Sequence, residues 1–149
     1  MMPQSLAAIY VHIVFSTRDR TPFLSDPPTR TELHAYLGGI AKNLGCQPLG
    51  IGGVADHVHV LVRMSKTVAL SDLIRDLKAN SSSWVKQPVP GFAWQAGYGA
   101  FSFAADALAA EQLYVANQEA HHTKVSFQDE LRRLLRESGQ EWDETYLWD

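Results

Sequence analysis

The chain has 149 residues, 46% of them apolar and 19% charged, with a formal net charge of −3. This composition fits one soluble domain with a substantial core and excludes a natively disordered tail. No stretch approaches the roughly 20 consecutive apolar residues of a membrane span, and no basic residue precedes the first apolar run as a secretory signal requires. The single cysteine, Cys46, can form no internal disulfide, so a reducing cytoplasm is the expected setting and a packing role the expected one for that thiol. The charge is unevenly placed: residues 1–110 sum to +2 and residues 111–149 to −5. A generic DNA-coating protein would be more basic. Arg63, Lys66, Arg75, Lys78 and Lys86 nevertheless outnumber Asp72 and Asp76 in the middle segment, a mildly basic strip that can track phosphates.

The first element in chain order is AIYVHIVFST, Ala8 to Thr17, whose β-branched and aromatic residues read as a buried strand. After Pro27 and Pro28, with Thr29 as a candidate cap, Leu33, Tyr36, Leu37, Ile40 and Leu44 recur at helical spacing, and Gly45 supplies a stop. Leu49–Val54 and Asp56–Met64 read as two strands of a hairpin, with Gly52-Gly53 as the turn signal. Val68, Leu70, Leu73, Ile74, Leu77 and Trp84 mark a second helix, with Ser71 as its candidate start and Pro88 beyond its end. The glycine-rich stretch GFAWQAGYGAFSFA holds one or two strands. Asp106 is expected to cap a helix running to about His122. Ser126 opens a last helix, with Asp129 as its capping acid and Gly139 after its end. Strand, helix, strand, strand, helix, strand is the split βαβ order, so the expected fold is α+β: a ferredoxin-like or RNA-recognition-like antiparallel sheet with helices on one face and two C-terminal helices added. The expected domain spans residues 1–149, with a core at about 8–138 and an acidic, aromatic tail at 139–149.

His57 and His59 stand two apart on a strand, so both imidazoles leave the same face and can grip one metal ion. Taken alone, the same spacing also describes two half-exposed strand histidines. Tyr114 and Gln118, four apart on a helix, share a face. The Gln118 amide oxygen can complete a site begun by the two histidines, and Tyr114 offers a phenolic nucleophile, although an amphipathic helix often buries a tyrosine for packing alone. Asp56 can orient the His57 ring or merely close the hairpin. His121 and His122 suit metal, phosphate or a solvated helix end. His12 and His34 read as packing or surface residues. Lys78, Asn80 and the serines that follow suit phosphate contacts. No serine-nucleophile elbow, P-loop or dinucleotide fingerprint occurs, so neither serine hydrolysis nor a nucleotide-driven machine has support.

The pattern His57-Val58-His59 on a strand, followed about 55 residues later by Tyr114-x-x-x-Gln118 on a helix, resembles the HUH-type single-tyrosine transposases of small bacterial insertion sequences, the insertion-sequence-200/605 type that includes the REP-associated tyrosine transposases. The blocks YVHIVFSTRDRTPFL, HAYLGGI, GGVADHVHVLV, LKANSSSW, WQAGYGAFSF and YVANQEAHHTKVSFQDEL extend the resemblance over most of residues 8–135. It implies cutting and rejoining of single-stranded DNA through a 5′-phosphotyrosine on Tyr114, with Mg²⁺ or Mn²⁺ on His57, His59 and Gln118. It further implies an imperfect DNA hairpin as partner and a homodimer in which the tyrosine helix of one copy can complete the histidine pair of the other. Arg63, Lys78, Asn80 and Lys86 are the expected DNA contacts, alongside Asp56, His121 and His122 near the site. A domesticated, non-catalytic nucleic-acid-binding module and a metal-dependent nuclease that uses water in place of Tyr114 are the competing readings.

Overall fold

The computed structural model describes residues 3–149. Met1 and Met2, which belong to the expected 1–149 domain and to the start searched for a signal, lie outside the described residues. Four strands form one antiparallel sheet: β1 (Tyr10–Ser16), β2 (Gln47–Val54), β3 (His57–Arg63) and β4 (Gly99–Phe103), in the order β2-β3-β1-β4. The two central strands are the most apolar in sequence because both of their faces are covered. Val11, Ile13 and Phe15 of β1, with Val58, Val60 and Val62 of β3, form a core with Leu33 and Leu37 of α1 (Pro27–Asn43) and Leu73, Ile74 and Leu77 of α2 (Leu70–Val85). The α+β class and the order of elements agree with the sequence reading.

The alternation that points these residues toward α1 and α2 turns His12, Val14, Ser16, His57 and His59 to the opposite face. That face is covered by α3 (Leu108–Ala116), α4 (Gln118–His121) and α5 (Phe127–Glu137). Two glycines let the cover sit close. A Cβ at Gly52 would lie 2.2 Å from the Val115 carbonyl oxygen, and one at Gly99 would crowd Leu131 at 3.2 Å. Phe127, Leu131 and Leu135 of α5 bury Val14, and Trp142, Leu147 and Trp148 of the tail pack against the same cluster. The tail ends beside the loop that leads into β4: the Asp149 main-chain carbonyl accepts from the Gly97 amide at 2.8 Å.

Several local expectations are corrected. Asp26 caps α1, its carboxylate accepting from the Thr29 amide at 3.3 Å, and Pro27 takes the first turn where a missing N–H costs nothing. The hairpin turns at Ala55-Asp56, with Gly52 and Gly53 inside β2. Helix α2 starts after Ala69 and has no side-chain cap from Ser71. The glycine-rich stretch supplies one strand, β4, and a single Thr17–Trp94 bridge. Asp106 lies in a 3₁₀ turn, and the continuous helix expected to reach His122 divides at Asn117. The last helix matches its signal at both ends, Ser126 Oγ accepting from the Asp129 amide at 3.1 Å and Gly139 following with φ +72°, but the Asp129 carboxylate takes the Arg132 guanidinium at 3.0 Å in place of a capping bond.

Candidate active site

The polar face of the sheet is buried, so its imidazoles need partners. Each finds one on the ring nitrogen that points away from the centre. His57 Nδ1 lies 2.7 Å from Asp56 Oδ1, in the turn beside it. His59 Nδ1 lies 2.7 Å from His12 Nε2, and His12 Nδ1 in turn stands 3.4 Å from Glu111 Oε2 on α3. His122 Nδ1 donates to the Val125 carbonyl at 2.6 Å. A carbonyl or carboxylate can only accept, so Asp56 and Val125 place the Nδ1 protons of His57 and His122; a proton on His12 Nδ1 toward Glu111 leaves His12 Nε2 to accept from His59 Nδ1, and three Nε2 atoms face inward.

The inward nitrogens meet oxygen atoms. Glu130 Oε1, from α5, lies 3.3 Å from His57 Nε2, 3.0 Å from His59 Nε2 and 3.1 Å from His122 Nε2. Gln118 Oε1 lies 3.3 Å from His57 Nε2 and 2.9 Å from His122 Nε2. The helix division at Asn117 fixes that amide: Gln118 Nε2 donates to the Tyr114 carbonyl at 3.1 Å, which leaves Oε1 toward the histidines. The Tyr114 hydroxyl donates to Glu130 Oε2 and accepts from Arg133 Nη2 at 2.8 Å. Its ring is edged by His59 and His121, with centroids 5.7 and 5.5 Å away.

Lone pairs on nitrogen and oxygen at these separations repel unless positive charge lies among them. Metal–ligand bonds of about 2.1 Å set neighbouring ligand atoms roughly 3.0–3.4 Å apart, the spacing found between Glu130 Oε1 and each of the three Nε2 atoms. One candidate atom each from His57, His59, His122 and Glu130 falls within a 4.8 Å span, so a His₃–Glu cluster can hold a metal ion. Without an ion, the same groups share protons. Burial alone would lower the His57 pKa, but hydrogen bonds to Asp56 and Glu130 outweigh it and raise the value to about 9. For His59, burial wins and lowers it to about 3. Burial pushes the Glu130 carboxyl up, but the imidazoles of His122, His57 and His59 more than reverse this and hold it far below the usual carboxylate range. Burial and the Glu130 carboxylate together raise the Tyr114 phenol, which therefore keeps its proton.

The family described as Transposase IS200 like matches residues 5–118, more than half of the sequence. The chain belongs to this family. Its fold has solved relatives. A protein from Deinococcus radiodurans R1 described as a transposase superposes with a TM-score of 0.62 at 23% identity, over 79% of this chain and 96% of that one. A REP-associated tyrosine transposase bound to a REP hairpin gives a TM-score of 0.61 at 12% identity, over 84% of this chain and 76% of that one. At these identities the likeness is one of fold. No curated protein matches the sequence significantly.

The transposase brings His57, His59, Tyr114, Gln118, Asp56, His121 and His122 into one cluster, and a single chain supplies them all. Arg63, Lys78, Asn80 and Lys86 lie elsewhere. Arg63 closes the far end of β3, six residues and therefore about 20 Å from His57, where it donates to the Ala7 carbonyl at 3.0 Å. Lys78 gives its ammonium to the carbonyls of Gln95, Ala96 and Gly97 at 2.7–3.0 Å, and burial lowers its pKa to about 8. Asn80 is exposed on α2 and Lys86 just beyond its end, and α2 packs on the other face of the sheet. His12, read as packing or surface, is corrected to a buried partner of His59. Glu130 and Arg133 were missed. The sequence signals for them are their spacing of three on the last helix, which also describes an ordinary solvated ion pair, and the place of Glu130 within the apolar positions Phe127, Leu131 and Leu135. Among the described residues, no helix is long and apolar enough to cross a membrane.

Proposed function

We propose that this transposase cuts and rejoins single-stranded DNA through Tyr114, with Mg²⁺ or Mn²⁺ held by His57, His59 and Gln118 and additionally by His122. The convergence of three imidazole Nε2 atoms on the carboxylate that also receives the Tyr114 hydroxyl carries this reading. A divalent ion at the histidines supplies positive charge to the scissile phosphate and to the charge that gathers on it.

The chain's own residues account for the rest. Asp56 and the His12–Glu111 pair hold the His57 and His59 rings in the tautomer that presents Nε2. A cleft of about 160 Å³ beside Tyr114, lined also by His12, Glu111, Arg133 and Glu137, is where a DNA backbone would approach the phenol. As Tyr114 gives up its proton to the Glu130 carboxylate it already donates to, its oxygen forms a bond to phosphorus, the P–O3′ bond breaks, and the 3′ oxygen takes up a proton from water and leaves as a hydroxyl. Arg133, already donating to the phenol oxygen, stabilises negative charge there. The 5′-phosphotyrosine exchanges the P–O3′ ester for a P–O(Tyr) ester and remains a phosphodiester, so attack by a 3′-hydroxyl reverses the step without ATP. The hairpin held by the REP-associated relative supports a hairpin-bearing single strand as partner.

The test is incubation of the full chain with Mn²⁺ and 3′-labelled single strands taken from the sequences flanking its own gene. A denaturation-resistant protein–DNA adduct is expected, with Tyr114→Phe abolishing the adduct and retaining DNA binding. Multiple-turnover cleavage by Tyr114→Phe would overturn the proposal in favour of hydrolysis by water.

A further inference from the structure

Glu130 lies outside the set of groups that a histidine pair and a tyrosine helix supply, yet it is the most connected side chain in the site. It is fully buried, comes from α5, and its two oxygens do different things. Oε1 lies within 3.3 Å of all three inward imidazole nitrogens, and Oε2 accepts from Tyr114. We infer that Glu130 is a ligand of the bound cation through Oε1 and orients the Tyr114 phenol through Oε2, so that one carboxylate couples metal occupancy to the position of the nucleophile. This rests on the metal-dependent reading above and deepens it.

Three features support it. First, His57, His59, His122 and Gln118 are neutral ligands, and a cation buried among them lacks a compensating charge. Glu130 is the carboxylate whose oxygen lies at ligand spacing from all three rings. Second, the side chain is held in place. Phe127, Leu131 and Leu135 anchor α5 on Val14, Trp148 packs on Phe127 with centroids 6.3 Å apart, and the Trp148 ring faces the Arg132 guanidinium at 5.1 Å. Third, Arg133, one turn further along α5, reaches the same phenol oxygen at 2.8 Å. Helix α5 thus presents an acceptor and a donor to Tyr114 from one face, which suits an element that positions the nucleophile.

The experiment compares Mn²⁺ binding by calorimetry to the full-length, metal-free wild type and Glu130→Gln. The glutamine variant preserves the shape and removes the charge. Wild type is expected to bind, and the variant to bind about tenfold more weakly or worse. Equal affinity overturns the inference and leaves the histidine site standing, whereas no Mn²⁺ uptake by wild type overturns both. The coupling is read separately by ¹⁹F resonance of protein containing 3-fluorotyrosine, with the Tyr114 signal assigned by its loss in Tyr114→Phe. Added Mg²⁺ is expected to shift that signal in wild type and to leave it nearly unmoved in Glu130→Gln; the same shift in both overturns the bridging role. If Glu130→Gln does not fold, Glu130→Asp, which keeps the charge and shortens the reach, takes its place with the same expected losses, and unchanged Mn²⁺ affinity overturns the inference.

Discussion

Replacing Gly52 by alanine tests how tightly the sheet fixes the tyrosine helix. A Cβ at this position would stand 2.2 Å from the Val115 carbonyl oxygen and 3.1 Å from Val115 Cγ1. Ordinary contact begins at about 3.4 Å, so α3 must retreat by roughly 1 Å, and because the obstacle is backbone no rotamer change avoids it. Overpacking of this kind costs about 1–3 kcal/mol, or roughly 4–8 °C in Tm near the middle of that range for a chain of this size. The functional cost should be larger. Tyr114 adjoins Val115, and a displacement of about 1 Å in a reacting group can cost on the order of 10²-fold in rate. Single-turnover adduct formation with Mn²⁺, measured beside a thermal melt, is therefore expected to show a modest loss of Tm with a rate loss near two orders of magnitude. Gly39→Ala is the control. Nothing lies within 4 Å of its added methyl, it sits inside α1, and it should stabilise by up to about 1 kcal/mol with no change in rate. Wild-type Tm and rate in Gly52→Ala would refute the reasoning.

His12→Phe removes the partner of His59 Nδ1 while keeping the volume, so Mn²⁺ affinity should fall about 10–100-fold in calorimetry with the fold intact, and unchanged affinity would count against the His12–His59 arrangement. The pH dependence of the metal-free protein follows from His57, which burial lowers and its bonds to Asp56 and Glu130 raise, for a net rise from 6.5 to about 9. The fold binds that proton more tightly than the unfolded chain, so the stabilisation is complete below pH 6.5 and disappears as pH rises through about 9. Melts across this window should show Tm falling, and falling less in Asp56→Asn; a flat profile contradicts the assignment. Because Tyr114 stands beside the histidines of its own chain, mixing Tyr114→Phe with His57→Ala should produce no adduct, whereas an adduct from the mixture would show that tyrosine and histidines come from different copies.

The fold was legible because its signals are local and redundant. Alternating Val11, Ile13 and Phe15, the helical spacing of Leu33, Leu37 and Ile40, and the Ser126 cap each fix an element without reference to distant residues. The errors fall where tertiary contact decides. Gly52 and Gly53 look like a turn, but they are absent side chains that admit a helix backbone and a neighbouring strand. The division at Asn117 has no glycine or proline to announce it, and the Gln118 side chain takes up the Tyr114 carbonyl beside it.

The site divides along the same line. His57, His59, Tyr114 and Gln118 were readable because each pair sits on one element, where a period of two or four residues determines which side chains share a face. Glu130 and His12 have no second chemistry-bearing partner at such a spacing on their own element. Their place comes from packing: Gly99 admits Leu131, Leu131 and Phe127 seat α5 on Val14, and that seating drives a carboxylate into a buried cluster of imidazoles. A charged residue on an amphipathic helix is ordinarily solvated, and what distinguishes Glu130 is its neighbours on the helix, since Phe127, Leu131 and Leu135 are its own buried stripe. A carboxylate inside an apolar stripe must be paired or ligated to be tolerated. That is the signal the last helix offered, and it becomes decisive once the sheet face beneath is known to carry histidines in place of aliphatic residues.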